Sequence, residues 1–421
     1  MSQSFRISIN SRLLLPLLVL VYLLAVIVSH RVFFYLFYSL VAMIAVSYFW
    51  SRHIGQRLSL SREARKEGVQ VGEKLREKFA VTNRSRLPVF WVEMVDRSNL
   101  PGYLASRVES MGGGARRTWD AEAVCQRRGL YTLGPVDMRT GDPFGLFSAR
   151  WREPATRSFL VYPRIVDLPG IELPRGTHPG SARTSLRTQQ VTTNASTVRE
   201  YVPGDSLCRI HWLSTARQGR LIVKEFDLEP SGNAWVVLDL EERVQAGEGE
   251  ESTEEYGVTL AASLAYKLLE QNKAVGLAAF GKGQVVLQPD RGHRQLGRIL
   301  KELAVAKAQG RYPLSEVLTK FGLGFGRGMT VVVITPSWSL EWAAGLLFYA
   351  AQGMAPAAVV MDPRSFGGRQ SSDAVVEALI HSGITTYTIS RGQRFTTVFR
   401  ERPRQESAYR VLATGRVIAP V

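Results

Sequence analysis

The residue types best suited to chemistry are concentrated between positions 198 and 212, where the sequence reads VREYVPGDSLCRIHW. Two arginines, two acidic residues, a tyrosine, a tryptophan and a histidine surround the turn-forming pair Pro203-Gly204. Guanidinium and carboxylate groups can form bidentate hydrogen bonds that neutral side chains cannot form. A hydrophobic core does not need this composition, so the segment is the first candidate for a functional site.

Two non-catalytic interpretations of this segment remain open. In the first, its charged side chains pair with one another and fasten the preceding chain to the domain that follows. In the second, Arg199, Arg209, Arg217 and Trp212 form a recognition surface, because arginine and tryptophan dominate the energetics of protein interfaces. Either interpretation makes the segment a structural or partner-binding site.

A third interpretation is catalysis by Glu200, Asp205 and His211, but no nucleophile or metal-ligand cluster accompanies them. The chain has no G-x-S-x-G or H-E-x-x-H motif, and its two cysteines, Cys125 and Cys208, lack metal-ligand spacing. In a reducing cytoplasm both cysteines are expected to be free thiols. We therefore expect no catalytic residue, no cofactor and no small-molecule substrate.

Two long apolar runs precede this segment, at residues 13–29 and 32–50, and only His30-Arg31 separates them. Neither run has a polar face, so each is predicted to be a transmembrane helix rather than part of a soluble helical hairpin. A second span directly behind the first also argues against a cleaved signal peptide. Residues 1–54 are therefore predicted to form a membrane-spanning helical hairpin.

Basic residues set the expected orientation of this hairpin, because they flank both of its ends while the turn carries only Arg31. By the positive-inside rule, we expect a multi-pass protein of the inner (plasma) membrane with both termini and the soluble domains in the cytoplasm. The net charge of +16 and the pI near 10.0 also suit contact with anionic lipid headgroups. The flanking basic residues are Arg6, Arg12, Arg52, His53, Arg57, Arg62, Arg65 and Lys66.

Short β-prone runs separated by turn residues predict a small β-sandwich over residues 55–165. Within it, GDPFGLF at 141–147 is a tight turn. Asp142 and Gly145 are expected to shape this turn, and Phe144 and Phe147 are expected to be buried against the sandwich.

Residues 166–229 are predicted to form a basic linker followed by the charged segment. The linker is rich in Pro, Gly, Ser and Thr, and it has no acidic residue between Arg175 and Arg199. Such a composition predicts a segment that does not order itself. Nucleic-acid binding by this linker is a further hypothesis, but the linker lacks aromatic residues for base stacking, so no nucleic-acid partner is expected.

Buried Val/Ile/Ala-rich strands alternate with helices over residues 230–400, and a short tail follows at 401–421. This alternation predicts an α/β domain with a doubly wound, mostly parallel sheet covered on both faces. The whole chain is therefore predicted to be multidomain: two transmembrane helices, a β-sandwich and an α/β domain.

The charged segment resembles the hallmark of the bacterial DUF58 family, and the RGLYTLGP and GDPFGLF sequences resemble that family too. Members of this family are membrane-anchored and carry a von Willebrand factor A-like (vWA-like) domain. The resemblance therefore implies that the α/β domain is vWA-like. The residues that carry the hallmark are Arg199, Glu200, Tyr201, Pro203, Gly204, Asp205, Arg209, Ile210 and Trp212, with Arg217 extending it.

The same resemblance implies a function in protein–protein interaction. Proteins of this kind are often encoded beside MoxR-type AAA+ ATPases, so we expect a membrane-tethered, non-enzymatic scaffold or adaptor. Its partners are expected to be an AAA+ ATPase and, through the two helices and the basic flank, membrane lipids.

The resemblance also raises the alternative of a divalent-metal-dependent enzyme or a metal-regulated switch. Metal-binding vWA domains carry D-x-S-x-S after the first strand, and here Asp239 is followed by Glu241 and Arg243 at the serine positions. An arginine there disfavours a cation, so a metal site is not expected, and Asp239 and Glu241 are the carboxylates to test. The glutamate-rich stretch at 241–255 is expected to be a disordered acidic loop that is either plainly solvated or partner-binding.

Overall fold

The structure is a computed structural model, and it divides the chain into two compact units. The first comprises Met1–Arg164 with Leu303–Val305, and the second comprises Ile165–Glu302 with Ala306–Val421. The described residues are 5–11, 13–28, 30–64, 68–174, 195–202, 210–226, 233–321, 328–393, 395–398, 401, 410–411 and 417–418.

The N-terminal apolar segment forms two helices, α1 (Leu14–Val28) and α2 (Arg31–Arg57), with exposed aliphatic and aromatic side chains along both. Among the described residues, only α2 is long and apolar enough to cross a membrane. The structure therefore shows one candidate span where the sequence predicted two, because α1 has only 15 residues whereas a span needs about 20.

Helix α2 also continues past the predicted end of the second span at Trp50. In its last turns, Ser51, Ile54 and Gly55 are buried in the first unit. Ser51 Oγ donates a hydrogen bond to the Phe147 carbonyl at 3.4 Å. The helix therefore ends inside the folded unit, while most side chains in its first half are exposed.

The described residues of the first unit also form eleven strands, and the alternation of buried and exposed residues along them is typical of half-buried strands. They are β1 (Arg6–Ile9), β2 (Leu58–Ala64), β3 (Gly68–Gln70), β4 (Lys74–Asn83), β5 (Val89–Asp96), β6 (Arg107–Met111), β7 (Arg116–Val124), β8 (Gly129–Leu133), β9 (Val136–Gly141), β10 (Phe147–Glu153) and β11 (Arg157–Tyr162).

The strands form a five-stranded sheet in the order β1-β10-β9-β5-β6 and two three-stranded sheets, β2-β4-β7 and β3-β11-β8. A shared core includes Phe79 stacked on Trp119 with ring centroids 5.3 Å apart. The predicted small sandwich is confirmed in outline. Strand β1 was not expected from the sequence, and it places residues that precede α1 in the same sheet as β10.

The GDPFGLF turn joins β9 to β10, and the Asp142 carboxylate shapes it as expected. It accepts hydrogen bonds from the backbone N–H groups of Phe144, Leu146 and Phe147 at 2.9, 3.3 and 2.6 Å. Gly145 has a φ of +71°, a conformation that favours glycine. Phe147 is buried, but Phe144 is 59% exposed, so its predicted burial is wrong: the turn points its side chain outward.

A buried ionic cluster lies in the sandwich. Arg62 Nε donates to Glu77 Oε1 at 3.0 Å, and the Tyr103 hydroxyl donates to the same carboxylate. Burial and this hydrogen bond raise the pKa of Tyr103. Arg62 was predicted to belong to the basic membrane flank, but its guanidinium is buried and paired, so it does not contribute to that flank.

The second unit contains a six-stranded sheet with helices, a hairpin that carries a short helix, and a final strand pair. Its elements are β12 (Ala195–Glu200), α3 (Trp212–Gln218), β13 (Ile222–Phe226), β14 (Ala234–Leu238), α4 (Thr253–Glu270), β15 (Val275–Phe280), β16 (Gln284–Asp290), α5 (Gly292–Val305), α6 (Leu314–Phe321), β17 (Thr330–Thr335), α7 (Glu341–Ala351), β18 (Ala355–Met361), α8 (Asp373–His381), β19 (Thr385–Ile389), β20 (Arg410–Val411) and β21 (Val417–Ile418).

The six-stranded sheet has the order β16-β15-β14-β17-β18-β19 and is parallel except for the edge strand β16. Strands β14, β15, β17 and β18 are buried along their whole length, as expected for a sheet covered on both faces. The chain reverses its direction of growth between β14 and β17. In open α/β sheets, the carboxyl ends at such a switch point form the usual binding crevice.

Residues 166–174, which were predicted to begin a linker that does not order itself, are anchored on this α/β body. Lys267 Nζ on α4 donates to the carbonyls of Leu168 and Ile171 at 2.6 and 2.7 Å, and both of these residues are buried. Burial lowers the pKa of Lys267. Buried apolar side chains and satisfied backbone groups therefore order this part of the segment, and the rest of the linker lies outside the described residues.

Substituting Arg62→Ala should remove the partner of a buried carboxylate. Because an unpaired buried charge is strongly unfavourable, we expect the free energy of unfolding to fall by ~3–5 kcal/mol. The matched control is Arg76→Ala, which breaks an exposed pair with Glu122 (3.0 Å) and should change that free energy by less than ~1 kcal/mol. Denaturant titration of the full chain in mild detergent measures both, and equal effects would contradict the role of the cluster.

Candidate functional site

The described part of the hallmark forms a small hairpin that carries a helix. Strands β12 and β13 pair antiparallel, and α3 lies in the connection between them. The N–H of Tyr201 donates to the Leu221 carbonyl at 2.9 Å, and the N–H of His211 donates to the Ile222 carbonyl at 2.8 Å. Gly219, with a φ of +66°, ends α3 and lets the chain return to β13. We call this element, residues 195–202 and 210–226, the hallmark hairpin.

The hallmark residues take different places in this hairpin. Ile210 is buried together with Ile222 and Val223, so its place in the motif is explained by packing. Tyr201 is half-buried, and for Arg199 the structure describes only the position on β12. Pro203, Gly204, Asp205 and Arg209 lie outside the described residues, so their predicted roles stay predictions.

The hallmark hairpin carries several exposed apolar side chains. Trp212 is 67% exposed, and Val202, Leu213 and Leu221 are exposed as well. Arg217 on α3 is also exposed. The structure thus brings Trp212 and Arg217, two of the predicted contact residues, onto one short exposed helix.

The ion pair that the hairpin shows joins Glu200 to Arg220, with Nη1 and Oε2 3.2 Å apart. Both side chains are largely exposed, and such a pair contributes little to stability. Arg220 was not singled out from the sequence, although its position three residues after Arg217 could have suggested it. His211 Nδ1 lies 2.7 Å from Ser214 Oγ, a local contact in the first turn of α3.

The second candidate site lies at the carboxyl ends of β14 and β17. Asp239 is buried directly after β14, and its Oδ2 accepts a hydrogen bond from the Thr335 hydroxyl at 2.6 Å. Its Oδ1 accepts from the N–H of Glu241 at 3.0 Å. Thr335 Oγ1 in turn accepts from the N–H of Ser337 at 2.8 Å. Internal donors therefore satisfy both oxygens of the candidate metal-binding carboxylate.

Burial raises the pKa of Asp239 to about 6, and the hydrogen bonds from Thr335 and Glu241 partly offset this effect. Burial also raises the pKa of Glu241, while the nearby Arg243 acts in the opposite direction. The side chain of Arg243 is exposed, so the groups that satisfy Asp239 are Thr335 and a backbone N–H rather than a guanidinium. Among the described residues, no three His, Cys, Asp or Glu side chains form a cluster that could hold a metal ion.

The glutamate-rich stretch at 241–255 was expected to be disordered, but it is folded. It forms two short 3-10 turns, Glu242–Val244 and Gly249–Glu251, and Val244 is buried. The Thr253 hydroxyl donates to Gln245 Oε1 at 2.7 Å and accepts from the N–H of Ala246 at 2.9 Å. These local hydrogen bonds overcome the charge repulsion that composition suggests.

Sequence reasoning missed Thr335, Ser337, Gln245 and Thr253 as parts of this site. The available signal was the Thr-Pro-Ser sequence that follows the buried strand β17. Polar residues at that end of a strand next to β14 must lie close to Asp239.

The comparisons with known proteins agree with the hallmark. Residues 197–366 match the model of a family described as "Protein of unknown function DUF58". The "Uncharacterized protein YeaD" of Bacillus subtilis (strain 168) is 26% identical over 316 residues, which cover 71% of this chain and 77% of that protein. The fold and hallmark thus define a class of proteins without an assigned activity. Over residues 197–366 the chain is therefore similar to the DUF58 family.

Solved structures overlap the chain only partly. The CARDB domain of the PF1109 protein from Pyrococcus furiosus, solved with di-metal ions, is 14% identical with a TM-score of 0.18 and covers 25% of this chain and 91% of that domain. Proximal thread matrix protein 1 from the mussel byssus is 12% identical with a TM-score of 0.24 and covers 31% of this chain and 38% of that one. Overlaps at these scores support no argument about function.

Substituting Asp239→Asn should change how stability depends on pH. The folded-state pKa of about 6 lies above the ordinary aspartate pKa of 3.8, so the folded state binds more protons between these values and its unfolding free energy falls as pH rises. That loss, ~3 kcal/mol, is complete above the folded pKa and should be absent in the variant. Calorimetric unfolding of the full chain from pH 4 to 7.5 measures it. Exposed Asp373→Asn is the control, and equal pH slopes for all three proteins would contradict this assignment.

Proposed function

We propose that the protein is a membrane-tethered, non-enzymatic scaffold whose hallmark hairpin and vWA-like α/β unit bind a partner protein. The observation that carries this proposal is the exposure of Trp212 beside Val202, Leu213 and Leu221. Large apolar side chains grouped on a surface mark interaction sites, and tryptophan and arginine supply most of the energy of such sites.

The vWA-like assignment is supported by the sheet. This assignment requires a first strand that is followed by a buried aspartate, a neighbouring strand that ends in a hydroxyl side chain, and an antiparallel edge strand. The sheet has all three features. Because the oxygens of Asp239 are satisfied internally, the carboxyl end of the sheet needs no ion to be stable. This favours partner binding over catalysis as the function of the α/β unit.

We favour an AAA+ ATPase of the MoxR type as the partner, as the family resemblance suggests. Arg217 and Arg220 are exposed on the same hairpin as these apolar side chains, so the complementary surface should combine apolar residues with carboxylates. A partner with an acidic, hydrophobic contact site fits both features.

The anchor is proposed to be a two-span hairpin, and the fold of the first unit supports this. Strand β1 precedes α1 and pairs with β10, while the end of α2 is buried in the same unit. The apolar segment therefore leaves and re-enters one folded body. Since that body stays on one side of a bilayer, the number of crossings must be even.

Helix length and charge together decide between two crossings and a shallow loop. Helix α1 is about 22 Å long, and the exposed part of α2 is about as long, whereas the hydrocarbon core is about 30 Å thick. A shallow loop would leave Arg31 within the hydrocarbon at ~2.5–3.5 kcal/mol or more. Local thinning of the bilayer costs fractions of a kcal/mol per Å, so two crossings are favoured.

The alternative is a divalent-metal-dependent enzyme or a metal-regulated switch. Its support is the pair of buried carboxylates, Asp239 and Glu241, at the switch point of the sheet. Calorimetric titration of the full chain with Mg²⁺, Mn²⁺ and Ca²⁺ tests it. Heat that disappears in Asp239→Asn would favour this alternative, and the absence of heat would remove its premise.

Partner capture should depend on Trp212. Trp212→Ala should weaken capture about 30-fold, because tryptophan hot spots contribute 2 kcal/mol or more, and it should leave the melting temperature unchanged because the side chain is exposed. The control is Phe348→Ala, which removes another exposed aromatic side chain from α7. Capture is measured by photo-crosslinking in cells and then with the purified ATPase and trapped nucleotide. Undiminished capture by the Trp212 variant would refute the proposed surface.

The turn between the two helices should reach the far side of the membrane. With the native cysteines replaced, His30→Cys should react with an impermeant maleimide added outside intact cells. Leu104→Cys, at an exposed position in the sandwich, should react only after permeabilisation. A His30→Cys protein that stays unlabelled before and after permeabilisation would indicate a shallow loop and contradict two crossings.

A further inference from the structure

The outward-pointing Phe144 has a defined place in the first unit. The Asp142 carboxylate holds the turn through three backbone N–H groups, so the phenyl ring is presented by a rigid support. Asn10 lies beside this turn: its N–H donates to the Leu146 carbonyl at 2.9 Å, and its Nδ2 donates to the Gly145 carbonyl at 3.1 Å. Asn10 lies only four positions before Leu14, where α1 begins. Phe144 therefore stands next to the point where the chain enters its first apolar helix.

Two further exposed apolar side chains lie at the same end of the five-stranded sheet. Ile9 is opposite Phe147 at the end of β1 and is 52% exposed. Phe90 is at the start of β5, which runs antiparallel to β9, and is 51% exposed. Its ring centroid lies 6.0 Å from that of Trp50 on α2. Ile9, Phe90 and Phe144 form what we call the apolar edge.

A row of arginines crosses the sheet a short distance from the apolar edge. Arg6 on β1 is opposite Arg150 on β10, which is opposite Arg139 on β9. The row ends at Glu93 on β5, and the guanidinium of Arg139 lies over the Trp91 ring at 5.6 Å. Arg6 and Arg150 are exposed, and like charges in directly opposite positions destabilise a sheet unless an anion lies near them. They are three residues, or about 10 Å, from Ile9 along the strand.

We propose that the apolar edge lies in the headgroup layer of the bilayer that receives α1 and α2, and that Arg6 and Arg150 bind anionic lipid headgroups there. This proposal rests on the proposed membrane anchor and adds an orientation to it. The lipid surface is the occupant that the structure favours, because the edge is continuous with both apolar helices. Aromatic side chains are enriched at membrane–water interfaces, and anionic headgroups attract arginines at the same depth.

The geometry leaves the first unit little freedom to turn away from the membrane. Asn10 ties the start of α1 to the turn that carries Phe144, and the Tyr48 ring on α2 packs against Phe147 at 5.7 Å between centroids. No long linker separates either helix from the sheet. The five-stranded sheet is therefore expected to stand with its Phe144 end toward the lipid.

Depth-dependent quenching tests this orientation on the full chain in nanodiscs of phosphatidylcholine and phosphatidylglycerol. A bimane fluorophore is placed at Phe144→Cys, with the native cysteines replaced, and lipids carry a spin label near the top of the acyl chain. Leu20→Cys within α1 reports on the anchor, and Leu104→Cys, exposed at the opposite end of β5, is the matched control. We expect strong quenching at positions 20 and 144 and none at 104.

Each other outcome has a distinct meaning. Quenching at 20 without quenching at 144 overturns the docked edge and leaves the anchor intact. No quenching at 20 or 144 shows that the anchor itself does not insert. Quenching at 104 as well shows that the unit lies flat, which overturns the orientation.

The arginine row is tested by charge-neutral variants in the same assay. The double variant Arg6→Gln/Arg150→Gln should reduce quenching at position 144 at least twofold. Removing phosphatidylglycerol from the nanodiscs should cause the same reduction in the protein that keeps both arginines. Lys78→Gln/Arg127→Gln changes the charge equally at other exposed positions and should have no effect. Equal quenching with and without the anionic lipid would overturn the role of Arg6 and Arg150.

Discussion

The pairing of β1 with β10, together with the burial of the end of α2 in the same unit, is the constraint on which the N-terminal half depends. An apolar segment that leaves the sheet after β1 through Asn10 and returns to the same unit through Ser51 cannot have its two ends on opposite sides of a membrane. The even number of crossings and the approach of Phe144 to the lipid that we propose both rest on this closure. Helix α1 alone would not define an anchor, because 15 residues are too few.

In the second unit, the corresponding constraint is the desolvation of Asp239. A carboxylate at the switch point of an open α/β sheet must be neutralised by a metal ion, a proton or hydrogen-bond donors. Thr335 and the N–H of Glu241 supply donors, and the raised pKa shows that they compensate only in part. The ordered turns of residues 241–252 depend on this same corner through Gln245, whose amide donates to the Asp239 carbonyl at 3.2 Å. Binding at this end of the sheet would therefore disturb an existing network.

The periodicity of apolar residues was enough to predict helices and strands whose pattern of burial is visible within the segment itself. The alternation of buried strands and helices predicted over residues 230–400 is present, for example in β14 at Ala234–Leu238 and α4 at Thr253–Glu270. The errors came from contacts between distant residues. From the sequence alone, Ser51 and Ile54 were assigned to the flank of a transmembrane helix. The region of Phe147 that they pack against lies almost a hundred positions later in the chain. Arg62 counted as a membrane-facing charge until its pairing with Glu77 across β2 and β4 was known. Composition alone also could not show that Thr253 would order a glutamate-rich stretch.

The hallmark hairpin explains why its motif combines burial with exposure. An isolated two-stranded hairpin is at best marginally stable in water, so this one needs Ile210, Ile222 and Val223 to be covered. Consecutive residues on a strand face opposite sides, and both Ile222 and Val223 are buried, so both faces of β13 are occupied. The exposed Trp212 contributes nothing to that packing. In the function proposed above, this exposed side chain belongs to a surface that a partner protein covers.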